Sequence, residues 1–431
     1  MRVAAVDFGA TSVRVAVVDL DAAEPVPEIV HRYLHAPVRF ADGSLRWDWD
    51  RLAAETERGL ATALEGGPLA SIGVDTWGVD YGLLGSDGKL LSPPFSYRDG
   101  RTAGWQAVAD TLGRDRLYRT SGIQLMAVNT VFQLAVHPRD ELERAAGLLM
   151  LPELLVHHLT GSAWGEVTSA STTALVDIAD GSWSAELLSE IGVDPGLFPP
   201  IARAGTPAGA WRGVPVHLVA GHDTASAVAA RAPGAPASAA FVATGSWFLV
   251  GVERDAADVS DAARRANFSN EAGALGGFRF LKNVTGLWLL EQCRAQWGAP
   301  RVEELFRAAG ALAAGGPVVD PNDQRFADAV DMESELRAAA GLRASAGRDA
   351  VVRCILDSVA AATSRVLDEL RTVLGEPVTR VDVLGGGGRS ELLVHLIGEA
   401  CGVEVLVGPA EATALGNALV QARALGVADV R

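Results

Sequence analysis

The chain has 431 residues, 49% of them hydrophobic and 21% charged, and a formal net charge of −16. That length exceeds one ordinary hydrophobic core and predicts two domains or three. The acidic balance excludes nonspecific attachment to nucleic acid or to an anionic membrane surface, though not a small anionic ligand, which a local glycine-rich turn can hold whatever the global charge. Cys293, Cys354 and Cys401 are widely spaced and form no Cys-x-x-Cys pair, which argues against a zinc knuckle or dithiol site and fits a reducing, cytoplasmic compartment. Arg2 and Asp7 interrupt the first apolar residues, so no secretory signal is expected. Residues 232–252 carry no charge over a length that raises a membrane question. Pro233, Gly234, Pro236 and Gly245 within that run predict a linker followed by a hairpin instead.

In chain order, residues 3–6 and 13–18 read as strands joined by the polar turn Phe8-Gly9-Ala10-Thr11-Ser12, a β-hairpin. Asp7, Gly9, Thr11, Ser12 and Arg14 gather there. Backbone N–H groups, hydroxyls and a guanidinium suit a polyphosphate, and Asp7 could hold its metal ion; an ordinary polar hairpin has the same appearance. Residues 28–36 read as a third strand. A helix over residues 51–64 follows, with Leu52, Leu60 and Leu64 on one face and Asp48 or Asp50 as its cap. Residues 70–75 form another apolar strand, running into a loop of aromatics and carboxylates, Thr76-Trp77-Gly78-Val79-Asp80-Tyr81-Gly82.

The second half repeats this order. Residues 239–243 and 247–252 are strands around the turn Thr244-Gly245-Ser246. A helix over residues 349–374 has apolar positions at a period near 3.6 and a stop at Gly375. Residues 380–384 are a strand that enters Gly385-Gly386-Gly387-Gly388-Arg389-Ser390. Hairpin, helix, strand and glycine-bearing turn thus occur twice, which predicts two related α/β domains, residues 1–234 and 235–431, with a boundary in the Pro/Gly/Ala stretch at residues 232–236 and a ligand cleft between them. Residues 299–348 read as an insertion, partly helical and loose around residues 317–323.

The stretch Gly221-His222-Asp223-Thr224-Ala225-Ser226-Ala227 joins a strand over residues 214–220 to an Ala-rich helix. Ligands in open α/β sheets bind beyond the carboxyl ends of strands, which makes Asp223 a candidate for chemistry. Asp and Thr are also good helix N-caps, and the turn alone does not decide between the two roles. Other motifs are weak. There is no Gly-x-x-x-x-Gly-Lys-Ser/Thr and no His-Glu-x-x-His. Ser86-Asp87-Gly88-Lys89 reads as a β-turn. His157-His158 reads as a pair on a partly buried helix. Tyr97-Arg98-Asp99-Gly100-Arg101 is either a solvated turn or a binder of hydroxyls.

Asp7-Phe8-Gly9-Ala10-Thr11-Ser12 resembles the first phosphate hairpin of the FGGY carbohydrate kinases, within the actin and hexokinase superfamily. The turn Gly385 to Gly388 and Glu411-Ala412-Thr413-Ala414-Leu415-Gly416-Asn417 resemble that family's nucleotide-side motifs, and Tyr97-Arg98-Asp99-Gly100-Arg101 its Trp-x-Asp-x-Arg segment. A sharper similarity, to the branch of the family that acts on L-rhamnulose, is carried by several runs. They are Gly73-Val74-Asp75-Thr76-Trp77-Gly78-Val79-Asp80, Asn129-Thr130-Val131-Phe132-Gln133-Leu134, Ala170-Ser171-Thr172-Thr173, Asn267-Phe268-Ser269-Asn270-Glu271, Arg279-Phe280-Leu281-Lys282-Asn283 and Gly286-Leu287-Trp288-Leu289-Leu290.

The resemblance implies an α/β fold of two actin/hexokinase-like, ribonuclease H-like domains around an interdomain cleft. It implies transfer of the γ-phosphoryl of ATP to a ketose hydroxyl, O1 of L-rhamnulose, in rhamnose catabolism. Asp223 matches the proton acceptor. Gly78, His222, Asp223, Thr224 and Asn283 match sugar-binding positions. Asp7, Ala10, Thr11, Ser12, Val13, Arg14, Ser246, Glu291 and Gly387 match the nucleotide side, with Mg²⁺ held near Asp7 through water. Glu291 stands where the family pattern has Gln, and Val13 where it has Gly. The helix N-terminus at Asp223 is expected to favour its ionised form, and Trp77 and Tyr81 either face the deoxysugar's methyl group or pack the core. The implied partners are the ketose and ATP, with no nucleic acid and no membrane, on a monomer or homodimer. A sister kinase for another ketose such as L-fuculose, and a catalytically silent sugar or nucleotide sensor, are the alternatives.

Overall fold

Residues 2–9 are apolar at nearly every position. They form a strand, β1 (Arg2–Gly9), buried along its length, as a strand covered on both faces must be. The computed structural model to which it belongs describes residues 1–231, 234–236, 238–327 and 329–427. The chain divides into two units. One comprises Met1–Ala230, Arg254–Phe280 and Thr413–Arg431, the other Arg231–Glu253 and Leu281–Ala412. Ala232 and Pro233 of the expected interdomain link lie outside the described residues.

In the first unit β1 pairs antiparallel with β2 (Ser12–Asp19). The register Gly9↔Ser12 leaves Ala10 and Thr11 as a two-residue turn. β3 (Glu28–Leu34) continues the antiparallel sheet at its edge. Helix α1 (Trp49–Glu65) is capped by the Asp48 side chain, which accepts from Arg51 N–H. It lies so close to β2 that a Cβ on Gly59 would come within 2.5 Å of Val15, so glycine here permits the packing. β4 (Ser71–Thr76) runs parallel to β1. A long insertion follows, including α2 (Leu151–Thr160) and the short α3 (Val167–Ser171). Then come β5 (Pro207–Trp211) and β6 (Val214–His222), the latter parallel to β4. The sheet order is β5-β6-β4-β1-β2-β3. The parallel strands β1, β4 and β6 therefore bring Asp7, Asp75 and His222 to their carboxyl ends, and α4 (Asp223–Ala229) starts at once from β6.

The second unit repeats the plan. β7 (Ala239–Thr244) and β8 (Trp247–Arg254) form a hairpin. β9 (Phe278–Thr285) enters the unit at Leu281 and leads into α5 (Trp288–Gln296). Helix α6 (Arg348–Leu374) ends at Gly375 with φ 66°, the left-handed stop predicted for that glycine. β10 (Arg380–Leu384) runs parallel to β7. A 3₁₀ turn over Gly386–Arg389, α7 (Glu391–Cys401) and β11 (Glu404–Val407) follow, giving the order β9-β8-β7-β10-β11. The insertion contains helices Val302–Gly310 and Met332–Ala340 with irregular chain between them. Arg231 is buried here. It donates to Asp382 Oδ2 at 2.7 and 3.0 Å, to Glu253 at 2.8 Å and to the Ala239 carbonyl at 3.1 Å.

The last helix, α8 (Ala412–Ala424), belongs to the first unit from Thr413 onward. Asn417 donates to Asp75 at 2.6 Å, and Gln421 donates to Asn417 at 2.7 Å and to the Ala4 carbonyl at 3.0 Å. Among the described residues no helix is long and apolar enough to cross a membrane. The three cysteines are free and buried.

Candidate active site

The turn after β6 is where the sheet stops pairing regularly. The β6–β4 register shifts between Leu218 and His222, so the intervening peptide groups need other partners. Gly221 N–H donates to Glu166 Oε2 at 2.9 Å and His222 N–H to Thr168 Oγ1 at 3.1 Å. The helix N-cap is His222, and no side chain caps it. Asp223 is the first residue of α4 and accepts from its neighbour, the Thr224 hydroxyl standing at 3.3 Å. The capping role open to Asp223 and Thr224 is thus not the one they take. Burial lifts Asp223 above its ordinary value, against the pull of His222, so the seven-residue helix does not hold it low as expected from its N-terminal place. The side chain is still 28% exposed, which leaves it reachable.

His222 stands beside Asp223, Nε2 to Oδ1 3.5 Å, and its Nδ1 lies 3.2 Å from Glu271 Oε2. Arg279 pairs with the same Glu271 oxygen at 3.0 Å. Glu271 and Arg279 are buried. Burial pushes Glu271 up, but Arg279 and His222 outweigh it and hold the carboxyl below its usual range. Arg279 Nη2 also lies 3.2 Å from His222 Nδ1, so that nitrogen is held between a guanidinium and a carboxylate while Nε2 faces Asp223.

A row of polar side chains crosses three strands beneath the hairpin. Arg14 is the register partner of Asp7 and pairs with it at 2.9 Å; Asp75 is its partner on the other side. Burial, and then the charge of Asp7, push Asp75 well above the ordinary carboxylate value; Asp223 adds to the push. Asp75 Oδ1 is buried without a hydrogen-bond partner. An orphaned acidic oxygen beside a carboxylate and a guanidinium fits a cation that arrives with phosphates. Among the described residues no cluster of three or more His, Cys, Asp or Glu is placed to hold a metal ion. The hairpin tip is braced by His35, whose Nε2 donates to the Gly9 carbonyl at 3.0 Å and which burial pushes down to about 4, so it stays neutral. Ala10 and Ser12 flank the exposed Thr11. Val13 is core, fully buried, so only its backbone faces the tip.

Gly78 is packed on Thr172; a Cβ there would lie 2.8 Å from Thr172 Oγ1. The next residue, Val79, has φ 70°. A β-branched residue in that region is strained, and such strain persists only where surroundings impose it. Here Val79 N–H donates to Thr172 Oγ1, and its carbonyl accepts from Thr130 and Gln133. Trp77 belongs to an aromatic cluster with Phe8, His35 and Trp47. Both indoles donate to Asp80 Oδ2, at 2.7 Å from Trp47 and 2.9 Å from Trp77. Burial pushes Asp80 to about 6, against the hydrogen bonds from Trp47, Trp77 and Gln133. Tyr81 is buried and bonds His137 at 2.8 Å. Both aromatics therefore pack the core. Asp99 caps its own short turn and accepts Leu45 N–H at 2.7 Å.

In the second unit Gly387 N–H donates to Thr244 Oγ1 at 3.0 Å, which ties the glycine-rich turn to the β7–β8 hairpin. A Cβ on Gly387 would come within 2.7 Å of that oxygen, whereas the space at Gly386 is open. Ser246 donates to Glu291 Oε2 at 2.8 Å, so the acid at this position accepts the hydrogen bond of the turn's hydroxyl. Asn283 lies in β9, half-buried, within this unit. Asp7, Ala10 to Arg14, Gly78 and His222 to Thr224 thus gather in the first unit, and Ser246, Asn283, Glu291 and Gly387 in the second. Sequence reading assigned no role to Asp75, Glu153, Glu166, Glu271, Arg279 or Asn417. The available signal was a carboxylate inside or beside an otherwise apolar element, as at Asp75 and Glu153.

Three comparisons place the chain among known proteins. The profile of the FGGY family of carbohydrate kinases, N-terminal domain, matches residues 2–227, and that of the C-terminal domain matches residues 240–425. Rhamnulokinase of Klebsiella pneumoniae subsp. pneumoniae is 40% identical over 97% of this chain and 88% of its own length. Rhamnulokinase of Bacteroides thetaiotaomicron is 37% identical over 98% of this chain and 91% of its own. Gluconate kinase from Lactobacillus acidophilus superposes with a TM-score of 0.80 at 15% identity, covering 99% of this chain and 90% of that one. Xylulose kinase from the same organism gives 0.78 at 14%, with the same coverage. The chain belongs to the FGGY family of carbohydrate kinases. It is an ATP-dependent sugar kinase with the two-domain actin/hexokinase-like fold of its relatives, and Mg-ATP is its phosphoryl donor.

Proposed function

We propose that the chain phosphorylates L-rhamnulose at O1, with Asp223 as general base. The substrate is carried by the relatives: those at 37–40% identity over nearly the whole chain bear the name Rhamnulokinase. The base is supported by one observation above others, a carboxylate at the end of β6 that is neither spent on capping nor sealed from solvent. Bound Mg-ATP supplies the phosphoryl group and compensates its charge during transfer. Asp223 accepts the proton of the O1 hydroxyl as that oxygen attacks. Its burial raises its proton affinity, which a base acting near neutrality needs. His222, oriented by Glu271, and Thr224 hold the sugar beside it, together with Gly78 and Asn283. Asp7 and Arg14, with the hairpin N–H groups of Ala10 to Val13, serve the polyphosphate, and Ser246, Glu291 and Gly387 the rest of the nucleotide. We assign the base and, Asn283 apart, the sugar to the N-terminal domain, and the nucleotide chiefly to the C-terminal one. The three buried thiols fit a reducing cytoplasm.

The test is ADP release over a panel of ketoses, with Asp223→Asn alongside. L-rhamnulose is expected to give the highest kcat/KM, and the variant to lose roughly 10²-fold or more in kcat. Near-parental turnover in Asp223→Asn would remove the base assignment. A preference for L-fuculose would replace the substrate, and no sugar-dependent turnover would favour a sensor.

A further inference from the structure

Behind the catalytic turn lie two carboxyl groups that phosphoryl transfer itself does not use. Glu166, at the start of α3, and Glu153, in the first turn of α2, are each 1% exposed. Glu166 Oε2 accepts from Thr168 N–H at 2.9 Å, from the Thr168 hydroxyl at 2.5 Å, from Ser169 N–H at 3.2 Å and from Gly221 N–H at 2.9 Å. Thr168 Oγ1, held in this way, accepts His222 N–H. The two peptide N–H groups just before Asp223 are therefore fixed by α3 at the place where the sheet ladder slips. The approach is close: a Cβ on Gly221 would lie 3.2 Å from Glu166 Oε2 and 3.3 Å from Glu153 Oε1. Glu153 Oε1 in turn accepts Glu166 N–H at 3.0 Å and the Ser169 hydroxyl. Each carboxyl keeps one buried oxygen without a partner, Glu166 Oε1 and Glu153 Oε2.

We infer that Glu166, backed by Glu153, is a positioning residue for the kinase reaction: it sets the Gly221–His222 peptide and thereby aims Asp223. The inference rests on Asp223 being the base. Burial pushes Glu166 up to about 7, and burial with the neighbouring Glu166 pushes Glu153 up to about 8, so the acceptor of the Gly221 N–H changes charge near neutrality. Of the other titratable groups on the packed elements, His157 bonds the Ser162 and Gly88 carbonyls, His158 bonds Glu57, His217 bonds Ser71, His222 and Arg279 face Glu271, Asp75 accepts from Asn417 and Asp223 accepts from Thr224. Asp223 is also raised by burial, so the Glu166→Gln protein, which keeps Asp223, separates its titration from that of Glu166.

The Gly221 amide resonance of ¹⁵N-glycine-labelled protein, titrated from pH 5 to 9, reads this bond without turnover. It is expected to shift with a midpoint near 7, to keep that midpoint in Glu153→Gln, because Glu153 is still protonated and uncharged when Glu166 ionises, and to lose that titration in Glu166→Gln. Glu166→Ala is expected to lower kcat roughly 10²-fold, the effect of an ångström of misplacement. Glu166→Gln, which keeps an acceptor oxygen, should restore most of that loss and alter the alkaline limb of the kcat profile. A Gly221 amide that does not titrate, or titrates unchanged in Glu166→Gln, overturns the inference, and so does parental kcat in Glu166→Ala. If the parental protein turns over no sugar, the assigned reaction fails, and the amide titration alone judges the bond.

Discussion

Gly416→Ala is a small change that reaches Asp223, the base proposed above, from a distance. Gly416 lies on α8 against the middle of α4, where an added Cβ would sit 1.7 Å from the Ser226 carbonyl oxygen and 2.6 Å from its carbon. Backbone, not a flexible side chain, is in the way. Reaching the 3.0 Å below which real Cβ contacts are essentially never found requires the helices to part by more than an ångström. Ser226 is one helical turn beyond Asp223, so that displacement is delivered to Asp223. Overpacking of this kind costs about 1–3 kcal/mol, and Ala returns about 1 kcal/mol of helix propensity over Gly, so the net loss of stability is about 0–2 kcal/mol. The kinetic loss is larger, roughly 10²-fold in kcat for a shift of that size. Separation would also stretch the Asn417–Asp75 hydrogen bond, 2.6 Å in the native packing. The assay is ADP release with saturating L-rhamnulose, paired with urea unfolding to confirm a folded variant. A Gly416→Ala protein with kcat within threefold of the parent would refute the reasoning, because α4 would then not depend on this approach.

Gly387→Ala should raise the KM for ATP by about tenfold, since its Cβ meets Thr244 at 2.7 Å and moderate overpacking is worth a decade in affinity; steady-state kinetics with each substrate varied should leave the sugar KM near the parental value. Arg231→Met should cost about 3 kcal/mol in urea unfolding, because it takes two hydrogen bonds from the buried Asp382, which retains only Arg380. Stability should fall as pH rises from about 4.5 towards 8: Glu153 and Glu166 bind protons more tightly in the folded chain than their ordinary value of 4.5 allows, so the folded state carries more protons in that window and deprotonation favours unfolding. The urea midpoint at pH 8.5 is expected below that at pH 6, with the difference reduced in Glu153→Gln; equal slopes in the two proteins would contradict the sign.

The sequence by itself determined the plan of the protein. Strand, turn and helix periodicities placed the hairpin at residues 2–19, its counterpart at 239–254 and the helix ended by Gly375 within a residue or two, because these are local signals carried by adjacent side chains. Its motifs also named the family and pointed to Asp223. Tertiary structure decided what surrounds that residue. Which helix end is capped depends on backbone angles, and these put His222, not Asp223, at the cap. The supports of the turn come from far along the chain: Glu166 from 55 residues before Gly221, Glu271 from 49 after His222, and Asn417 reaches Asp75 across 342 residues. No local pattern encodes such partners. A buried carboxyl reads in sequence like any acid until the fold removes its water, and only then do desolvation and neighbouring charge make Glu153, Glu166 and Asp75 hold protons that surface acids release.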